Sequence, residues 1–304
     1  MAKHKVAVLM ASYNGITWLP DQIKSILSQL NVDISLFISD DFSQDGSYGY
    51  LQQSALSDSR IQLMPQTEKF GTAGNNFYRL IQDVNITNYD YVAFADQDDI
   101  WHQDKLIRHI ELIQKHGADG VSSNVIAFWT DGDKKLISKS NPQKKWDFLF
   151  ESAGPGCTFL LTPWLVNKVR DQLISPKSLA KKVVLHDWLT YAICRAHGHK
   201  WVIDATPSML YRQHCNNVLG ANIGLKAKLA RLKKLKQGWY RTEVIKIAEV
   251  VSLISQKSEL MKIRELLIKK NLVSQIKLLT YVSQARRNFL DQAILFVLIA
   301  FYLF

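Results

Sequence analysis

Four times before residue 101 the chain passes from an apolar run into a short polar loop. The runs are Lys5 to Met10, Ile34 to Ser39, Ile61 to Met64 and Tyr91 to Ala95. Each is short and apolar enough to be a buried strand. Helical spacing follows the first: Thr17 or Pro20 opens a segment to about Leu30 with Leu19, Ile23, Ile26, Leu27 and Leu30 on one face. Helical segments also follow the second and third runs. The alternation predicts an α/β fold with a mostly parallel central sheet and helices on both faces. In such sheets functional groups collect beyond the carboxyl ends of the strands. The loops there carry Ala11-Ser12-Tyr13-Asn14-Gly15, Asp40-Asp41, Gly71 with Asn75, and Asp96-Gln97-Asp98-Asp99.

The last of these loops is the most demanding. A buried strand ends in three carboxylates, which repel one another and are costly to bury unpaired. A hard cation, Mg2+ or Mn2+, would relieve both problems and could grip substrate phosphates. An Asp-rich turn that caps the helix beginning near Gln103 is the structural alternative. No G-x-G-x-x-G follows the first strand and no G-x-x-x-x-G-K-[ST] occurs, so dinucleotide and P-loop cradles are absent.

Further on, Gln103 to His116 reads as a helix and Val121 to Trp129 as one strand. Thr130-Asp131-Gly132-Asp133 then turns a hairpin. Pro163 begins a helix. His186-Asp187-Trp188 continues helically through Ile193, and Trp201 to Asp204 and Ser208 to Tyr211 read as short strands. The first five residues lead straight into a strand, with no signal-peptide pattern. Three widely spaced cysteines, Cys157, Cys194 and Cys215, argue for reduced thiols and against a disulfide framework or a Cys-based zinc site.

Charge divides the chain. Residues 221–304 hold 16 Lys/Arg and 5 Asp/Glu, which is the whole net charge of +11, while the first 220 residues balance at 22 of each. A boundary near residue 220 is expected, with domains 1–220 and 221–304. Leu225, Leu229, Leu232 and Leu235 repeat at helical spacing among six lysines and arginines, the pattern of a basic amphipathic helix on an anionic membrane surface. A second helical segment spans roughly Arg241 to Lys270. Ala293 to Phe304 is uncharged but too short to cross a bilayer; it can dip into the interface, pack, or pair in a homo-oligomer. The front part has no basic stripe interleaved with aromatics, so no nucleic acid is expected.

With these loops in place, residues 5–220 resemble a family-2 glycosyltransferase of the GT-A fold. The motifs are A-S-Y-N-G at Ala11, D-D-F-S-Q-D-G-S at Asp40, G-T-A-G-N-N at Gly71 and A-D-Q-D-D-I-W at Ala95. They continue with G-P-G-C-T-F at Gly154, H-D-W at His186 and Y-R-Q-H-C-N-N-V-L-G at Tyr211. The D-Q-D-D-I-W and Y-R-Q-H pair is most similar to the bacterial rhamnosyltransferase-like branch, which builds surface polysaccharides. The resemblance implies that Ala11, Tyr13, Asn14, Asp40, Asp41, Gly71, Asn75, Asp96 and Gln97 bind a nucleotide sugar. It implies that Asp98, His214 and Asp99 serve a divalent metal, with His214 a latch over the nucleotide. Asp187 matches the general base. Many relatives carry Glu-Asp where this chain has His186-Asp187, which leaves the role of His186 open. The Q-x-x-R-W signature of processive synthases is absent, which favours transfer of a single sugar.

The chemistry agrees with those roles. A metal neutralises charge on the departing nucleoside diphosphate, and a carboxylate takes the proton of the attacking hydroxyl. One in-line attack inverts the anomeric centre. The expected activity is inverting transfer, such as L-rhamnose from dTDP-L-rhamnose, to a lipid-linked or oligosaccharide acceptor. The expected place is cytoplasmic, peripheral at the inner face of the plasma membrane. Two alternatives stand beside it: a nucleotidyltransferase acting on a sugar phosphate, and a non-catalytic basic membrane-binding protein.

Overall fold

A computed structural model of the chain describes residues 3–214 and 238–304. The four apolar runs become β1 (His4–Ser12), β2 (Val32–Asp40), β3 (Ile61–Leu63) and β4 (Tyr91–Ala95). They lie in the order β4-β1-β2-β3, all parallel. Because side chains alternate across a strand, β1 feeds two cores. Val6, Val8 and Met10 enter one, and Ala7, Leu9 and Ala11 the other. Each fully buried aliphatic side chain contributes roughly 1.5–3 kcal/mol.

The connections between these strands are α1 (Leu19–Leu27), α2 (Ser47–Ser57) and α3 (Ala73–Asp83). Pro20 sits in the first turn of α1, and the Thr72 hydroxyl caps α3 by accepting Asn75 N–H at 3.2 Å. Then come β5 (Ile100–Trp101), α4 (Lys105–His116), β6 (Gly120–Ser123), β7 (Val125–Phe128) and β8 (Lys134–Ile137). A single turn α5 (Asp147–Phe150) precedes β9 (Leu160–Leu161), α6 (Pro163–Ile174), α7 (His186–Ala196), β10 (Trp201–Asp204) and β11 (Met209–Arg212). The main sheet has the order β10-β6-β9-β4-β1-β2-β3, and only β9 runs antiparallel to its neighbours. A second sheet, β5-β11-β7-β8, sits beside it.

Two expected elements are divided. The run from Val121 to Trp129 is not one strand: β6 belongs to the main sheet and β7 to the second. Asn124 makes the corner. It is buried, its Nδ2 donates to Ala205 O at 2.8 Å and its Oδ1 accepts Lys139 N–H at 2.6 Å. Ser122, Ser123 and Asn124 interrupt the apolar run, a polar break at the place where the chain passes from one sheet to the other. The hairpin after it forms as expected, with β7 antiparallel to β8. The segment from Arg241 to Lys270 is likewise two helices, α8 (Trp239–Ile254) and α9 (Ser258–Ile268), because Ser255 is extended.

The remaining helices are α10 (Leu272–Leu279), α11 (Val282–Ala285) and α12 (Phe289–Ala300). Val244, Ile247, Val251, Leu260 and Leu267 share a core with Phe94 of β4 and Trp188 of α7. Glu243 of α8 is buried and accepts Val184 N–H at 2.9 Å, just ahead of α7. The expected leucine-striped helix at 225–236, and the boundary near residue 220, lie outside the described residues. None of the helices among the described residues is long and apolar enough to cross a membrane.

Candidate active site

Beyond the carboxyl ends of β1 and β4, one side chain holds two loops together. Gln97 Oε1 accepts Tyr13 N–H at 2.8 Å and the Ser12 hydroxyl at 3.1 Å, while its Nε2 donates to Tyr13 O at 2.9 Å. Gly15 makes room for this clasp, since a Cβ there would stand 2.3 Å from Gln97 Oε1. Asn14 adopts φ 49°, a region that Asn tolerates better than most residues. Its N–H donates to Ser43 Oγ and its Oδ1 accepts Gln44 N–H, both at 2.8 Å. Ala11 is buried on the strand itself, and the Tyr13 ring is left 45% exposed.

Asp40 and Asp41, at the end of β2, are buried and fully engaged. Asp40 accepts Ser43 N–H at 3.0 Å and Gln66 Nε2–H at 2.7 Å. Asp41 accepts Phe70 N–H at 2.5 Å and Gly71 N–H at 2.8 Å. Gly71 turns at φ 76°, and the Asn75 side chain donates to Phe70 O at 3.0 Å. These two acids therefore shape the loops from 40 to 47 and from 66 to 76.

The tip of β4 is arranged differently. The backbone carbonyl of Asp96 accepts Gln22 Nε2–H at 2.7 Å. Its carboxyl is half-buried and pushed up to about 7, first by burial, then by the charges of Asp98 and Asp187. Asp98 Oδ2 meets His214 Nε2 at 2.6 Å. His214 stacks on Trp18 with ring centroids 4.0 Å apart, and Arg212 Nε donates to Asp98 O at 2.8 Å. Asp99 has no exposed surface. Its Oδ1 accepts Arg212 N–H at 3.2 Å and its Oδ2 has no hydrogen-bond partner. Burial, then Asp98 and Asp96, hold its pKa well above the carboxylate range. Under this cluster lies Lys105, whose Nζ donates to Cys157 O at 2.6 Å and sits 3.1 Å from the centre of the Trp101 ring; burial lowers its pKa well below the ordinary lysine value.

Asp187 stands in the first turn of α7. Its Oδ1 accepts Trp188 N–H at 2.7 Å. Burial pushes its pKa up to about 6, and the Ser152 hydroxyl and the Lys139 charge draw it partly back. Asp96 feels the charges of both Asp98 and Asp187. Gly156 lets the preceding loop approach this turn, because a Cβ there would be 2.6 Å from His186 Nε2 and 3.2 Å from Asp187 Cβ. His186 packs into the core. It stacks on Phe77 at 3.8 Å and burial lowers its pKa to about 3, so the ring is neutral.

The wall behind Asp187 is tied to the C-terminal helices. Asp147 is fully buried and accepts from Tyr191 OH at 3.0 Å and Arg195 Nη1 at 3.2 Å, both on α7. It also accepts Arg287 Nη1–H at 3.2 Å. Arg287 Nη2 donates to Ser152 O at 2.6 Å, and Arg286 Nη1 to Phe150 O at 3.0 Å.

Of the residues singled out from sequence, the structure pairs Asp98 with His214, brings Asp96 and Asp99 together at Cys157, and clasps Tyr13 with Gln97. Trp18, Lys105, Lys139, Ser152 and Arg212 were not anticipated. Arg212 lies inside the Y-R-Q-H motif and could have been found there; the others carry no local signal.

A divalent ion suits one of two donor groups here. Asp96, Asp99 and Cys157 place their ligand atoms within 4.8 Å of one another, the three-donor group found among the described residues. Burial and the adjacent acids keep the Cys157 thiol protonated, which is wrong for a hard ion. Asp98 and His214 offer a carboxylate oxygen and an imidazole nitrogen that already converge, and these fit Mg2+ or Mn2+.

Comparisons with known proteins agree on the family. The model of glycosyl transferase family 2 matches residues 7–162. The dTDP-rhamnosyl transferase RfbG of Shigella flexneri is 46% identical over 244 residues, 80% of this chain and 84% of that protein. The UDP-Glc:alpha-D-GlcNAc-diphosphoundecaprenol beta-1,3-glucosyltransferase WfgD of Escherichia coli is 29% identical over 170 residues, 55% of this chain and 64% of that protein. Among solved structures, S. aureus TarS 1–349 in complex with UDP-GlcNAc aligns with a TM-score of 0.54 at 11% identity, covering 91% of this chain and 79% of that one. The mannosyltransferase PcManGT from Pyrobaculum calidifontis, in complex with GDP-Man and Mn2+, aligns with a TM-score of 0.53 at 14% identity, covering 99% and 85%. At these identities the structural likeness concerns the fold.

Proposed function

The chain belongs to glycosyl transferase family 2, and from that premise we propose that it transfers one L-rhamnosyl unit from dTDP-L-rhamnose, with inversion, to a hydroxyl of a lipid-linked glycan in surface polysaccharide synthesis. Family membership decides against the nucleotidyltransferase and non-catalytic alternatives. The identity to a dTDP-rhamnosyl transferase supports the donor.

One observation carries the mechanism: Asp98 and His214 converge at 2.6 Å, and the Gly156-Cys157 loop that packs against Asp187 brings the Cys157 sulfur within 4.8 Å of the Asp96 carboxyl. Asp98 and His214 would hold Mg2+ or Mn2+, which when bound neutralises charge on the leaving diphosphate. Tyr13 offers a ring face to the base, and the loops held by Asn14, Asp40, Asp41, Gly71 and Asn75 wall the nucleotide in. Gln97 fixes the Ala11–Gly15 turn to the β4 tip. Asp96, protonated or ionised near neutral pH, faces the sugar. Asp187 takes the acceptor proton as the new C–O bond forms and the bond to the dTDP oxygen breaks. A carboxyl with a pKa of about 6 is ionised at neutral pH and still more basic than an ordinary aspartate. Asp99 supports the tip from within.

The protein would act in the cytoplasm, at the inner face of the plasma membrane, where lipid-linked acceptors present their glycans. The test is a screen of nucleotide sugars with Mn2+ supplied or chelated, read by thermal shift and by release of nucleoside diphosphate. Stabilisation and dTDP release with dTDP-L-rhamnose support the reading. Equal response to every donor, or none, would remove the rhamnosyl assignment.

A further inference from the structure

α12 is apolar almost all round, yet it buries only one seam. Leu295, Ile299 and the following Phe304 enter the core. Its one charged residue, Asp291, is neutralised by Arg286 at 3.1 Å. α10 packs against it: Gln275 and Leu278 go inward and Leu279 is half-buried, while Leu272, Val273 and Ile276 face out. Leu272, Val273 and Ile276 of α10 are 61%, 60% and 56% exposed, and Phe289, Leu290 and Phe301 are 77%, 70% and 71% exposed. A contiguous face of this kind is rare on a chain surrounded by water alone. Exposed Lys270 and Lys277 lie beside it, and Lys269 pairs with Glu265.

We propose that the outer face of α10 and α12 seats the protein on an anionic lipid surface, with the aromatic and aliphatic side chains in the headgroup boundary and the flanking lysines on lipid phosphates. Charge selects this occupant over a second copy. Lys269, Arg286 and Arg287 are taken up in ion pairs, which leaves exposed Lys270 and Lys277 as the charges beside this face; two copies meeting on it would bring like charge together, whereas anionic lipid complements it. Depth selects it over a spanning segment: a 12-residue helix rises about 18 Å, well short of the hydrocarbon thickness, and lies in the interface. The proposal refines the lipid-linked acceptor reading, on which it rests, and it locates the membrane contact on described helices.

The experiment uses the full chain in flotation with phosphatidylglycerol/phosphatidylcholine vesicles and with phosphatidylcholine vesicles. Binding is expected to the anionic vesicles. In about 1 M salt, where screening falls to about 3 Å, a residual apolar contribution should persist. The triple variant Phe289→Ser, Leu290→Ser, Phe301→Ser should lose that residual binding by at least about tenfold, with its melting temperature unchanged because the three side chains are exposed. Three results overturn the proposal: no flotation of the parent chain, unchanged flotation of the triple variant in high salt, or a parent dimer that the triple variant turns into a monomer. Release of dTDP from dTDP-L-rhamnose, measured in the same preparations, separates the two readings. Lost flotation with release intact sinks the surface alone; flotation without release sinks the donor assignment.

Discussion

β2 and β4 flank β1 on opposite sides, and each ends in acids, but the two sets of acids do opposite things. At the end of β2 the carboxylate oxygens of Asp40 and Asp41 are taken up by Ser43, Gln66, Phe70 and Gly71. At the end of β4, Asp98 answers to His214 and one oxygen of Asp99 answers to nothing. Asp96 is pushed up to about 7 by its neighbours. Saturated acids shape loops; crowded, under-bonded acids are held ready for a ligand that brings positive charge or a donor. The difference cannot be counted from aspartates alone.

The sharpest way to break the comparison is to remove one charge from each side. Asp98→Asn should lower transfer about a thousandfold while leaving the melting temperature near that of the parent, read by steady-state kinetics and calorimetry. Asp187→Asn should cost about 10²–10⁴ in kcat with donor binding retained. It should also melt higher than the parent at about pH 8. The folded chain holds the Asp187 proton up to about pH 6, against 3.8 ordinarily, so stability falls as pH rises through that window and the amide abolishes the fall. In the parent, kcat should rise with pH through about 6 for the same reason, and a flat profile from pH 5 to 7 would remove Asp187 as base.

On the β2 side the expected effect is smaller and of another kind. Asp41→Ala leaves the Phe70 and Gly71 N–H groups without their acceptor and should cost about 1–3 kcal/mol of stability, with a weaker KM for donor and kcat far less affected. If Asp41→Ala instead abolished turnover in a chain of parental stability, the scaffold reading of the β2 acids would fall. The finest adjustment is Lys139→Met. Removing that positive neighbour should move the acid limb of the kcat profile to higher pH by less than about one unit.

The strand–loop–helix rhythm and the loop edge were legible because apolar runs of strand length and capped helices are local patterns. Thr72 and Pro163, which open α3 and α6, show this well. The acid cluster at 96–99 was legible for the same reason. What escaped notice depends on distance in space. Lys105 begins an amphipathic helix and reads as a solvent-side residue, yet it is buried under Trp101 and Cys157. Trp18 says nothing of His214 until their rings stack. Ser122-Ser123-Asn124 is a visible polar break in an apolar run, but that two sheets part there shows only in space. The charge step near residue 220 marks a basic C-terminal region but not its packing; the described part of that region shares a core with α7.

The tie between Arg287 and Asp147 spans 140 residues of sequence. At a translation rate of about 5–20 residues per second, the nascent chain carries Asp147 for on the order of ten seconds before its arginine is made. Until then Asp147 has only its α7 partners and the Lys144 N–H. The Asp98–His214 pair is available once residue 214 is made, so the donor side can close before the wall behind Asp187 gains its last tie.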